Sequence, residues 1–323
     1  MEKRLLIAEP ITVELKQFES RYANSIKSDN SRIQDIIEYM MKSDGKKLRP
    51  ILLLLAARAS GLVNDVTYNS AITLELLHTA SLVHDDVVDE SPLRRGRPSL
   101  NAVYDNKMAV LAGDYYLSTA LMNSILTGNI EIIEIISRLG RRLAEGELNQ
   151  LSLVKELIIN EKEYFNVIKQ KTASLLSACM KVGAISTGAS REEINMFADL
   201  GEILGMIFQL RDDIFDYFKG PIGKPTGNDI REGKVTLPLL HALDISTETE
   251  KKEYLDIINT FDFTDENVDK LIQFAIRKGG VEYTYEKINS FKKQADSIIS
   301  SIECKDVRKA LFATVEYIIE RDH

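Results

Sequence analysis

Apolar residues along this chain recur at spacings of three and four, not two. Val and Ile are common, yet they follow the helical period instead of alternating as in half-buried strands. Breakers divide the pattern near Gly45, near Gly61, at 91–99, at 127–129, at 186–190 and at 219–229. Asn129, Ser190 and Thr264 stand where new helices would start, and their side chains suit N-caps. No repeat, low-complexity tract or Ser/Gly linker interrupts the series. The pattern predicts one all-α domain over residues 1–323, a bundle of roughly a dozen helices. From about Asp244 onward the chain is charged and carries no chemical motif, so it reads as a supporting set of amphipathic helices.

Composition narrows the class. The formal charge is −8 and hydrophobic residues make up 44%, ample for a large core. Excess acid argues against a nucleic-acid partner, because phosphate backbones need basic patches. The two cysteines, Cys179 and Cys304, are far apart and form no CxxC. That fits a reducing cytoplasmic setting and excludes a disulfide scaffold. The opening MEKRLLIAEP lacks a signal-peptide core, since Glu9 interrupts its apolar run. ILLLLAA at 51–57 is far short of the ~20 apolar residues needed to span a bilayer.

Two stretches then stand out. LVHDDVVDES, 82–91, ends one long apolar helix, and FQLRDDIFDYFKG, 208–220, ends another. Each contains D-D-x-x-D: Asp85, Asp86 and Asp89, then Asp212, Asp213 and Asp216. Residues four apart share a helix face. Acids at a helix C-terminus oppose the macrodipole, and like charges at that spacing repel. Two such clusters therefore imply a cation. All-oxygen ligands suit a hard ion such as Mg2+, which completes its shell with water and substrate phosphates.

Basic residues gather close to both clusters in sequence. GKKLRP supplies Lys46, Lys47 and Arg49, and LRRGRP supplies Arg94, Arg95 and Arg97. KQKTAS supplies Lys169, Lys171 and Thr172 within a helix, and GKPTGNDIREGK supplies Lys224, Arg231 and Lys234. Arg meets phosphate with a planar fork and Lys as a point charge. Each cluster alone would read as solvated charge, and Lys47, Arg97 and Arg231 fit that reading. Together they can hold one polyanion from the side opposite the metals, and a second without metal. Glu75 to His78 is an E-x-x-H, the signature of di-iron bundles. The other copy, Glu320 to His323, lies at the fraying end of the chain, which argues against that chemistry. His84-Asp85 resembles the centre of an HD-type phosphohydrolase, but His78 alone is available as an upstream ligand. His84 reads as a packed helix residue.

The segments GKKLRP, LLHTASLVHDDVVDESPLRRGRP, GDYYLSTA, KTASL, FQLRDDIFDYFKG and GKPTGNDIREGKVTLPLL, in this order, resemble the trans-isoprenyl diphosphate synthases (polyprenyl synthetases). The resemblance implies the isoprenoid synthase fold, helices around a deep central cavity faced by both acidic motifs, and a homodimer. It implies that Lys46, Arg49, His78 and Arg95 bind isopentenyl diphosphate. It assigns Arg94, Lys171, Thr172, Gln209, Lys224 and Lys234 to an allylic diphosphate, farnesyl or geranyl. Asp85 and Asp89 would bind Mg2+ with Asp86 in support, and Asp212 would bind a further Mg2+ with Asp213 and Asp216 nearby. Asp85, Asp89, Lys171 and Asp212 would carry catalysis. One departure is Asp44, where the family often has the first of two glycines.

The implied reaction is ionisation, condensation and elimination in a dry cavity, with metal and Lys/Arg stabilising the leaving diphosphate. In this family the product grows away from the first acidic motif, back along its helix. Ala80 and Ser81 lie one turn before Asp85 and are small, with Leu77 deeper. Open space there predicts a long, octaprenyl-type product suited to a quinone side chain. Tyr116, Leu121 and Met122 are candidates for the tunnel floor. A class I terpene cyclase would need no second diphosphate site, whereas Lys46, Arg49 and Arg95 are present. A non-catalytic subunit would lose aspartates, and all are retained; the chain can still be the catalytic half of a heteromer. No transmembrane segment is expected, and any membrane contact for product release would be transient.

Overall fold

The computed structural model describes residues 2–42, 47–94, 96–156, 160–218 and 227–321, with backbone alone at 2–4, 153, 155 and 156. The order is α1 (Glu2–Ala8), α2 (Thr12–Ser25), α3 (Ser31–Met41), α4 (Leu48–Ser60), α5 (Asp65–Val88), α6 (Leu100–Val103), α7 (Asn106–Leu126), α8 (Ile130–Glu156) and α9 (Glu161–Ile168). Then come α10 (Ser174–Ser186), α11 (Arg191–Phe215), α12 (Asn228–Arg231), α13 (Leu237–Asp244), α14 (Glu248–Asn259), α15 (Asp265–Arg277), α16 (Gly280–Ser300) and α17 (Lys305–Glu320). The protein is all-α, as its periodicity predicts. Among the described residues the strands are one small hairpin, β1 (Leu93–Arg94) antiparallel to β2 (Arg97–Pro98), inside the stretch read as a helix breaker.

Local sequence explains the starts of these helices. Asn129 Oδ1 accepts from the backbone N–H of Glu131 and Ile132 at 3.0 and 3.2 Å. Ser190 Oγ accepts from Glu193 N–H at 3.2 Å, and Thr264 Oγ1 from Asn267 N–H at 3.4 Å. Each such cap stabilises its helix by about 1 kcal/mol. α5 starts on a capping box in which Asn64 Oδ1 accepts from Thr67 N–H while Thr67 Oγ1 accepts from Asn64 N–H.

The described residues cluster in two compact units. One comprises Met1–Gly140, Ala178–Ala198 and Ile302–Leu311. Its core includes Leu52 to Ala57 of α4, all fully buried. A helix that is apolar all round belongs inside, and each buried Leu contributes about 1.5–3 kcal/mol. α5 and α7 pack against each other extensively. Gly113 permits it, because a Cβ there would lie 2.2 Å from His84 Nε2.

The other unit comprises Arg141–Ser177, Asp199–Ser301 and Phe312–His323. Leu204, Ile207, Leu210 and Ile214 line the buried face of α11 at helical spacing. α13 packs on α15 and α16, whose apolar stripes include Leu271, Phe274 and Ile288. The C-terminal helices thus support this core, as their charge pattern predicts. No helix among the described residues is long and apolar enough to cross a membrane.

Candidate active site

The first acidic motif sits where the pattern places it, at the C-terminal end of α5. Asp85 and Asp86 occupy its last turn and Asp89 is its C-cap. Helical geometry gives the motif two aspects. Asp85 and Asp89 share a face, exposed at Asp89 and half-buried at Asp85. Asp86 points inward and is 4% exposed. It accepts from Arg94 Nε at 2.7 Å and from Arg94 Nη2. Its backbone carbonyl accepts from Asn101 Nδ2 at 3.2 Å. Gly96, between the two strands of the hairpin, takes a left-handed φ of +74°, a conformation that glycine adopts without steric cost.

A cavity in the first unit is lined on α5 by Glu75, His78, Thr79, Leu82, Val83 and Asp86, one face of the helix. Arg94 and Tyr39 line it from other elements. His78 and Arg94 therefore open onto one space, although the resemblance divides them between two substrates. Arg49, half-buried at the start of α4, is outside this lining. Lys46 and Arg95 lie outside the described residues. His84 is packed, as expected, with Nε2 3.3 Å from Val110 O and 3.5 Å from Asp114 Oδ1. The surface cations find ordinary partners. Lys47 pairs with Glu19 at 2.8 Å, Arg231 with Asp265 at 2.7 Å, and Arg97 lies over the Tyr39 ring.

Leu77, Ser81, Asp85 and Asp89 follow one another at four-residue spacing along α5, and none of the four is among the residues that line this cavity. Ala80 is 2% exposed, Leu77 is buried, and Ser81 Oγ donates to His78 O at 2.9 Å. Of the residues suggested for a tunnel floor, Tyr116 is buried and lines the cavity, whereas Leu121 and Met122 are exposed.

The second motif ends α11 and is held differently. Asp212 Oδ1 accepts from Arg321 Nη2. The Arg321 guanidinium lies 3.7 Å from the Phe208 ring centroid and donates to Phe208 O at 3.1 Å. Asp213 is 2% exposed. Its Oδ1 accepts from Gln209 Nε2 at 2.8 Å and its Oδ2 from the Tyr164 hydroxyl. Asp216 accepts from the backbone N–H of Asn228 and Asp229 at 2.8 and 2.9 Å, tying the first turn of α12 to the end of α11. Burial, followed by the charge of Asp229, pushes the Asp213 carboxyl above the usual carboxylate range. Asp229 is raised as well, first by burial and then by Asp216.

Lys171 and Thr172 lie within a helix, as the sequence places them, and the structure makes that segment a π-helical turn, Lys169–Ala173, between α9 and α10. Such turns are uncommon and occur often at functional sites. Gly205 of α11 lets this turn approach, since a Cβ there would lie 2.4 Å from Ala173 Cα. Thr172 Oγ1 donates to Gln209 Oε1 at 2.7 Å. Lys171 Nζ meets Glu147 Oε2 at 2.5 Å and Gln150 Oε1 at 3.2 Å. Lys234 pairs with Glu232. Lys171, Thr172, Gln209, Asp213 and Lys234 share one cavity of the second unit with Gln150, Tyr164 and Asp229. Lys224 lies outside the described residues.

Sequence reasoning missed Tyr164, Glu147, Gln150, Asp229 and Arg321. Tyr164 precedes Lys171 by two helical turns, and Glu147 and Gln150 stand three apart on α8, so spacing offered a faint signal. Nothing near Arg321 in sequence announces its partner. Among the described residues no three acidic, His or Cys side chains converge as a metal cage. Paired carboxylates such as Asp85 and Asp89 form an open donor set, which fits Mg2+ arriving with phosphate oxygens to complete its shell.

The polyprenyl synthetase family profile matches residues 30–275, and the chain belongs to that family. It is 33% identical over 299 residues to the octaprenyl diphosphate synthase of Escherichia coli, covering 92% of each chain. The geranylgeranyl pyrophosphate synthase structure from Bacteroides thetaiotaomicron has 39% identity and a TM-score of 0.87, covering 99% of this chain and 100% of that one. The decaprenyl diphosphate synthase structure from Rhodobacter capsulatus has 34% identity and a TM-score of 0.92, covering 98% of both. The protein is a prenyltransferase of isoprenoid synthesis. Its family is generally Mg2+-dependent and uses isopentenyl diphosphate with an allylic diphosphate.

Proposed function

We propose that this chain is an all-trans polyprenyl diphosphate synthase that adds isopentenyl units repeatedly to farnesyl or geranyl diphosphate and makes a long, octaprenyl-type product for a quinone side chain. The observation carrying this reading is the face of α5 that bears Asp85. One turn before it stand Ser81 and, beside it, Ala80, both small. The small size of these two side chains supports a product anchored at Asp85 and growing back along this helix. Relatives with short and long products share similar identity, so side-chain size at these positions is the better guide. The family match runs through both units, which supports one synthase domain.

In this reading Asp85, Asp89 and Asp212, with Asp86, Asp213 and Asp216 close by, hold Mg2+, which neutralises the leaving diphosphate as a Lewis acid. Lys171, Thr172, Gln209, Lys224, Lys234 and Arg94 hold the allylic diphosphate. Lys46, Arg49, His78 and Arg95 hold isopentenyl diphosphate. The allylic C–O bond breaks and diphosphate departs with its electron pair. The isopentenyl double bond then forms the new C–C bond, and a proton passes to the departed diphosphate. The apolar stripe of α7 supports a homodimer: Leu111, Met122, Ile125 and Leu126 are each more than 60% exposed, and a second copy would cover them.

The test is an assay of the purified chain alone with Mg2+, isopentenyl diphosphate and farnesyl diphosphate, followed by product chromatography. A synthase consumes both substrates and gives a long product. A cyclase consumes farnesyl diphosphate alone, and a chain requiring a second subunit type is inactive. Ala80→Phe shortens the product; unchanged length removes the growth path along α5.

A further inference from the structure

The charged third of the chain that follows Asp244 makes one contact that a plain support would not need. α14 and α15 are joined by a corner at 260–264, and Phe261 sits in it with a left-handed φ of +52°. Glycine or asparagine normally takes such a position, because a Cβ there crowds the following carbonyl. A bulky aromatic residue in that conformation is an outlier, and such strain persists only where the surroundings impose it. They do so here. Phe261 N–H donates to Ile258 O at 3.2 Å, and Asp262 N–H to Ile257 O at 3.3 Å. Asn267 Nδ2 holds Asp262 through its carbonyl at 2.9 Å and its carboxylate at 2.8 Å.

Filling the core does not account for the ring, which is 49% exposed. Its edge meets Gly233 instead: a Cβ on that glycine would lie 3.3 Å from Phe261 Cε1 and 2.9 Å from Val154 Cγ1 of α8. Gly233 and Val154 line the cavity of the second unit together with Lys234, the next residue. Two further contacts join α15 to the same segment. Arg231 pairs with Asp265 at 2.7 Å, and a Cβ on Gly227 would lie 2.3 Å from Val268 Cγ1. Segment 227–234 is therefore seated on α15 and its corner at its start, its middle and its end. The contact at the end, beside Lys234, is the one made by the strained residue. Residues that break local rules are expected at functional sites, where another gain offsets them.

We propose that Phe261 is a positioning residue for the anion site: its ring, held over Gly233 by the strained corner, fixes the backbone that carries Lys234 and so sets the grip of that lysine on the allylic diphosphate. This rests on the diphosphate-binding reading above. The C-terminal third is then more than scaffold, since it supplies the seat of a substrate-binding lysine.

The experiment is calorimetric binding of inorganic pyrophosphate in EDTA, with thermal melts as a folding control. Phe261→Gly removes the ring and relieves the backbone. It should weaken pyrophosphate about tenfold, the scale of one charge-assisted hydrogen bond lost or badly aimed. Phe261→Asn suits the left-handed conformation, lacks the ring and should show the same loss; it serves should Phe261→Gly fail to fold. Phe261→Tyr keeps the ring and should restore wild-type affinity. Lys234→Met should weaken pyrophosphate by itself, and adding Phe261→Gly to it should weaken it no further. Wild-type affinity in Phe261→Gly or Phe261→Asn would overturn the inference. So would an undiminished second loss in the Lys234→Met background, because the ring would then act elsewhere. Unaltered binding in Lys234→Met alone, or no binding by the wild type, would remove the diphosphate reading and this inference with it.

Discussion

The two acidic turns have the same sequence spacing and opposite surroundings. At the end of α5, Asp86 is held by a neighbouring Arg94 while Asp89 is exposed. At the end of α11, Arg321 donates to Asp212, Tyr164 and Gln209 donate to Asp213, and backbone N–H groups donate to Asp216. The inward acid of the first turn is held by a residue eight positions on, whereas the second turn is tied to residues 49 and 109 positions away. A motif therefore fixes which residue faces which way around a helix, but not what compensates the charge. That is decided by whatever the fold brings alongside.

The comparison breaks most sharply at the outward acids. Asp85→Ala and Asp212→Ala should each lower turnover by at least about 10²–10³-fold, the scale of losing one strong electrostatic contact in a transition state. Circular dichroism should show both variants folded. Near-normal product formation in either would remove that turn from the metal clamp.

The glycines beneath the two turns come next. Gly113→Ala drives a Cβ into the His84 ring under the first motif, and Gly205→Ala drives one into Ala173 under the π-helical turn. Overpacking of this kind costs about 1–3 kcal/mol, read from denaturant midpoints. The two should separate in kinetics. Gly205→Ala raises KM for the allylic diphosphate by moving Lys171 and Thr172, whereas Gly113→Ala disturbs the α5–α7 pairing and lowers stability with less change in that KM. Equal KM effects would deny the π-helical turn its special part.

A further variant sharpens the wiring of Asp212. Arg321→Leu removes a buried hydrogen-bonded charge and should destabilise the protein in EDTA by about 1–3 kcal/mol. Added Mg2+ with pyrophosphate should narrow the gap from wild type in a thermal melt, because a metal then supplies the charge that Arg321 supplied. A gap unaffected by Mg2+ would make Arg321 a support for the chain end alone.

Much of this was legible beforehand. The 3.6-residue period gave the all-α class, and Asn129, Ser190 and Thr264 cap helices as their residue type demands, because capping is local chemistry. Both acidic motifs were placed at helix ends for the same reason. What stayed hidden was long-range or irregular. Lys171 and Thr172 read as helix, but the π-helical form of their turn leaves no mark in the residue spacing. Tyr164 and Arg321 meet Asp213 and Asp212 across 49 and 109 positions of chain, and no period or spacing encodes such a pairing.

Residue order alone therefore settled the helices, their ends and the family, because hydrophobic period, capping and a chain of linked motifs are properties of neighbours in sequence. It settled as well that each D-D-x-x-D puts its first and last acids on one face. The tertiary structure decided that both second acids are buried, that one anchors an arginine and the other a glutamine–threonine relay, and that an arginine at the end of α17 meets Asp212. Burial and pairing depend on which surfaces pack together, and that is a property of the folded chain as a whole.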